Sequence, residues 1–82
     1  MISTAEISMY PFQESYKELI KAFIAKLSYY PDLQVTPGPT STVVVGEYEQ
    51  LMTCLTEMFR WSHEEHGKAV FVVKIMPGYE PS

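Results

Sequence analysis

The sequence predicts an α+β domain whose four strands and two helices follow the order βαββαβ. Three observations carry that prediction. Apolar residues recur at helical spacing over residues 16–27 and 48–62. Four shorter stretches, residues 2–10, 33–36, 40–45 and 68–76, alternate in polarity or are valine-rich. Prolines and glycines mark the junctions between them. This order is the ferredoxin-like split βαβ pattern, a four-stranded antiparallel sheet with both helices on one face. Right-handed crossovers place the first and third strands in the middle.

In the first strand, residues 2–10, Ser3, Ala5, Ile7 and Met9 share one face and Thr4, Glu6, Ser8 and Tyr10 the other. The first set should meet the core. Pro11 ends the strand because it cannot donate to the ladder. Ser15 followed by Glu18 matches a capping box at the start of the first helix. Tyr16, Leu19, Ile20, Phe23, Ile24 and Leu27 form its apolar stripe, with Lys17, Glu18, Lys21 and Lys26 outside. Pro31 sets the latest end of that helix and biases Tyr30 towards extended geometry.

Residues 33–36 form a second strand, Pro37-Gly38-Pro39 turns the chain, and residues 40–45 form a third that Gly46 ends. The second helix covers residues 48–65. Its buried stripe is Tyr48, Leu51, Met52, Leu55, Phe59 and Ser62, flanked by Cys54, Met58 and Trp61. Gly67 suits a left-handed C-cap. The fourth strand follows, over residues 68–76. Residues 1–77 are thus a single domain, and 78–82 a flexible tail. The sheet face away from the helices has no expected cover within the chain. A half-apolar face of that kind calls for a partner.

Composition narrows the function classes. A chain of 82 residues holds one domain. It buries roughly 60% of its unfolded surface, so oligomerisation is a natural source of further stability. Its single cysteine, Cys54, builds no disulfide framework and fits a reducing compartment. The net charge of -4, with no basic stripe, argues against nucleic acid. The first residues lack the charged and apolar regions of a signal peptide. No apolar run approaches the ~20 residues needed to span a bilayer. A cytoplasmic location without a membrane partner is the expectation.

Signals for catalysis are weak. His63 and His66 lie three apart, but a zinc site takes three or four protein ligands, and a solvated helix end explains the pair. Cys54 has no basic neighbour and reads as a small buried hydrophobe. The four glycines are scattered and form no phosphate loop. Thr40, Ser41 and Thr42 have no placed base. No enzyme activity, metal or cofactor is expected.

Two features leave alternatives open. Glu6 sits mid-strand, where glutamate is disfavoured. It either pairs with Lys74 across the sheet or receives a ring amine of a ligand. Thr40, Ser41 and Thr42 either open a strand or hydrogen-bond a small polar ligand. Tyr10 and Trp61 are less clearly core than the other aromatics, and a flat heteroaromatic ring could stack on either.

Residues 2–11, Ile-Ser-Thr-Ala-Glu-Ile-Ser-Met-Tyr-Pro, resemble the first strand of the thiamine/hydroxymethylpyrimidine-binding family, the YkoF type. Residues 35–42, Val-Thr-Pro-Gly-Pro-Thr-Ser-Thr, followed by Gly46, are similar to that family's Thr-Pro-Gly-Pro-Met-Ser-Thr segment and closing glycine. Thr40 stands where methionine is common. The resemblance covers nearly the whole chain. It implies a single-domain member that assembles through its sheets as a homodimer or tetramer. It also implies non-catalytic binding of thiamine or a related pyrimidine, as a cytosolic carrier or sensor. The ligand-binding set expected on this basis is Glu6, Ser8, Tyr10, Thr40, Ser41, Thr42 and Trp61. The alternative is a ligand-free oligomeric regulatory or scaffolding module of the same fold.

Overall fold

In the computed structural model, which describes residues 1–81, the chain runs β1 (Ile2–Pro11), α1 (Tyr16–Leu27), β2 (Gln34–Pro37), β3 (Thr42–Glu47), α2 (Tyr48–His66) and β4 (Ala69–Met76). Ser82, the end of the expected tail, lies outside the described residues. The four strands form one antiparallel sheet in the order β2-β3-β1-β4. The central strands are therefore β1 and β3, and the ferredoxin-like architecture is the one the element order implies.

Alternation along β1 buries Ala5, Ile7 and Met9. The register sets Ala5 beside Val44 on one flank and Ile75 on the other, which makes one continuous apolar layer. Phe23 and Leu27 of α1 and Leu51, Cys54, Leu55 and Met58 of α2 close over it. Each fully buried Leu or Met contributes on the order of 1.5–3 kcal/mol.

The inward stripe of α2 differs from the expected one. Leu51, Leu55 and Ser62 lie inside as expected, but the flanking Cys54 and Met58 join them, whereas Tyr48, Met52 and Phe59 are half-buried. The apolar arc of this helix is wide enough for either orientation. Packing decides, because Phe59 turns towards Phe71 at a ring separation of 4.5 Å, and Phe71 in turn meets Phe23 at 5.1 Å.

Two local expectations are corrected. The capping box is not formed: Ser15 has ψ 32°, its side chain makes no cap bond, and its carbonyl instead accepts from the Glu18 and Leu19 amides. Gly46 does not end β3, which continues to Glu47, with Gly46 paired to Ser3. The bare Cα of Gly46 makes room for Leu33, whose Cδ2 would collide with a Cβ at that position.

The outer sheet face is partly covered from within the chain, contrary to expectation. After β4, Gly78 adopts φ 75° and its amide donates to Ser3 Oγ at 2.9 Å. Thr4 Oγ1 donates to the Tyr79 carbonyl at 2.6 Å. Glu80 and Pro81 border a shallow recess with Gln34, Thr36, Val43 and Val45. The physical reason is polar satisfaction: Thr4 of the outer face is buried and donates to the returning backbone, while the same segment's Gly78 amide finds its acceptor in Ser3 of the inner face. Further along the same face, Tyr10, Val70 and Val72 remain exposed beside the Glu6–Lys74 pair.

Candidate ligand-binding groove

The register of the sheet opens a gap. β3 begins at Thr42, opposite Ile7, while β1 runs on to Pro11. Residues 8–11 therefore have β4 on one flank and no strand on the other. The hairpin turn of residues 38–41 folds into that space. Its neck is closed by the Gly38 amide donating to the Ser41 carbonyl at 2.8 Å. A Cβ on Gly38 would lie 3.0 Å from that carbonyl, so the close approach favours glycine. Ser8 Oγ donates to the Thr40 carbonyl at 3.1 Å and ties the turn to β1.

Between turn, strand and helix lies a chamber of about 90 Å³. Its apolar side comes from Ile7 and Met9 of β1 and Ile20, Phe23 and Ile24 of α1. Its polar side comes from Ser8, Thr40, Ser41 and Thr42. No ionisable side chain lines it. A wider groove of about 430 Å³ adjoins it, sharing Met9, Ile20, Pro39 and Thr40 and adding Tyr10, Pro11 and Tyr16. Hydroxyls both donate and accept, so this wall can serve the amine and the ring nitrogens of a neutral heteroaromatic ring alike. Two tyrosines at the mouth offer faces to a second, cationic ring, worth roughly 0.5–2 kcal/mol.

Of the seven expected ligand residues, Ser8, Thr40, Ser41 and Thr42 line the chamber and Tyr10 the outer groove. Glu6 and Trp61 line neither. Glu6 faces the outer sheet surface and meets Lys74 Nζ at 3.4 Å. Trp61 lies on α2 under Lys26 Nζ, 5.8 Å from the ring centroid, with His66 edge-on at 5.4 Å. Sequence reasoning passed over Tyr16, Ile20 and Ile24 as core. Their spacing of four is a signal that they share one helix face, but it does not say that this face borders an opening.

Other reactive groups give little for catalysis. Burial, and then the charge of Glu57, push the Cys54 thiol up to about 11, which makes it a poor nucleophile at neutral pH. Among the described residues, no three His, Cys, Asp or Glu side chains gather where a metal could bind. Among the described residues, no helix is long and apolar enough to cross a membrane.

Comparison with known proteins finds a matching family model and similar solved structures. The family model described as "Thiamine-binding protein" matches residues 5–77. A Thermotoga maritima structure, provisionally assigned to thiamine biosynthesis or salvage, is 27% identical with a TM-score of 0.84, covering 98% of this chain and 85% of its own. A Streptococcus pneumoniae protein is 25% identical with a TM-score of 0.86, covering 96% of this chain and 89% of its own. A hypothetical protein of Methanocaldococcus jannascii, 22% identical over 99% of this chain and 84% of its own, shares the fold with a TM-score of 0.80. None of the curated proteins matches this chain.

Proposed function

The chain belongs to the thiamine-binding protein family, and on that premise we propose that it binds thiamine or its hydroxymethylpyrimidine moiety in the groove, as a non-catalytic cytosolic carrier or sensor. The observation that carries this reading is the uncharged chamber with a hydroxyl wall at the segment resembling the family motif. The pyrimidine enters the chamber with its amine and ring nitrogens towards Ser8, Thr40, Ser41 and Thr42, and its flat face against Phe23. The thiazolium of intact thiamine sits outside, between Tyr10 and Tyr16. Glu6 serves the outer sheet face, and Trp61 the packing of the helices.

A second part of the reading concerns assembly as a homodimer or tetramer through the sheets. It is supported by the uncovered strip of Tyr10, Val70 and Val72 beside one acidic and one basic side chain. A two-fold axis over that strip would set Glu6 of each copy against Lys74 of the other. The ligand-free scaffolding alternative draws on the same strip but leaves the chamber without a role.

Calorimetric titration with thiamine and hydroxymethylpyrimidine tests the proposal. Saturable heat, weakened by Ser41→Ala, supports it. No heat at high micromolar ligand would sink it.

A further inference from the structure

A second concavity, about 290 Å³, lies between the loop after α1 and the first turns of α2. It shares no lining residue with the groove. Tyr30, Pro31 and Leu33 give it an apolar surface, with the buried Cys54 beneath, and Asp32 and Glu49 carry its charge.

The cleft is pre-formed. The loop is hydrogen-bonded almost residue by residue: the Ser28, Tyr29 and Tyr30 amides donate to the Ile24, Lys26 and Leu27 carbonyls, and the Leu33 amide to the Tyr30 carbonyl. Tyr30 then reaches across to α2, where its hydroxyl donates to Glu57 Oε1 at 2.7 Å. Leu33 is seated in the space that Gly46 leaves empty. The wall and floor are thus both anchored to other elements.

Its electrostatics have one sign. Asp32 and Glu49 border the cleft, and Glu57 lies behind the Tyr30 hydroxyl. No Lys, Arg or His lines it, and none of the three carboxylates is in an ion pair among the described residues. An anion would meet two carboxylates with no basic side chain among the lining residues, and a purely polar solute would waste the apolar surface. An apolar body carrying one positive charge satisfies both.

We propose that this cleft is a second binding site, for a small organic cation: an amine or quaternary ammonium on an apolar body, packed on Tyr30 and Leu33 with its charge towards Asp32 and Glu49. The site is independent of the pyrimidine groove.

Amide-resolved NMR titration of the intact chain tests this, with phenethylammonium as probe and 2-phenylethanol and phenylacetate as neutral and anionic counterparts. Saturable shifts centred on Tyr30, Leu33, Thr53 and Cys54 are expected for the cation. The neutral counterpart should bind about fivefold more weakly, and Asp32→Asn with Glu49→Gln should weaken the cation by a similar factor. Both carboxylates are exposed, so these variants should fold. Thr53→Arg, on the exposed side of α2, should block the site with its own cation. Equal binding of the alcohol or phenylacetate, shifts centred elsewhere, or no saturation by tens of millimolar probe would overturn the proposal.

Discussion

Ser8 Oγ donates to the carbonyl of Thr40 at 3.1 Å, joining the middle of β1 to a turn thirty-two residues further along the chain. That bond pins the hairpin turn over the gap left by the late start of β3. The chamber exists because the turn is held there. Ser8→Ala should therefore weaken hydroxymethylpyrimidine binding by about fivefold or more, the loss of one hydrogen bond of ~1 kcal/mol plus a looser turn. The bond is exposed, so stability should fall by less than about 1 kcal/mol. Calorimetry and urea unfolding measure the two effects separately.

The Glu6–Lys74 pair makes a prediction about assembly. Both side chains are partly exposed, so the pair itself contributes little within one chain. Across a two-fold contact, the same charges would set the register. Glu6→Lys or Lys74→Glu alone should shift sedimentation towards monomer, because like charges then face each other. The double exchange should restore the oligomer. A monomeric wild type at micromolar concentration would rule out this assembly.

Gly46→Ala should be costly although it adds only a methyl group. The new Cβ would collide with Leu33 Cδ2 on the buried side of β3. Overpacking of this kind costs about 1–3 kcal/mol. Thermal unfolding should show the loss, and Leu33→Ala in the same chain should recover part of it.

High pH should destabilise the fold through Cys54. Burial first, and Glu57 second, push its thiol from an ordinary value of 9.0 up to about 11. The folded chain thus holds a proton that the unfolded chain has released. This contribution is complete below about pH 9 and disappears as pH rises towards about 11. Tyr30 is shifted in the same direction, by burial and then by its bond to Glu57. Urea midpoints measured across that window should fall, less steeply in Cys54→Ala.

How much of this was legible in the sequence depends on the kind of interaction. Ala5, Ile7 and Met9 lie inside because strand alternation is local, and the element order led to the sheet order through crossover handedness. Thr40, Ser41 and Thr42 stood out because three hydroxyls after a Pro-Gly-Pro corner are a local pattern. The stripe of α2 was ambiguous, since Met52 and Phe59 are as apolar as Cys54 and Met58, and the turn of Phe59 towards Phe71 is a tertiary contact that spacing does not show. The returning tail left no periodic signal, because Thr4 bonds a backbone carbonyl seventy-five residues away. The chamber itself depends on where β3 begins, at Thr42 and not Thr40. That register follows from pairing with β1 and from the closure of the turn, neither of which composition or spacing determines.

A pyrimidine held under the hairpin turn should be visible in amide-resolved NMR titration of the wild-type chain with hydroxymethylpyrimidine. Shifts should saturate and cluster at Ser8, Gly38, Ser41 and Thr42, with Phe23 also affected. Absence of saturable shifts, or a cluster around Glu6 and Lys74 or around Trp61, would contradict it.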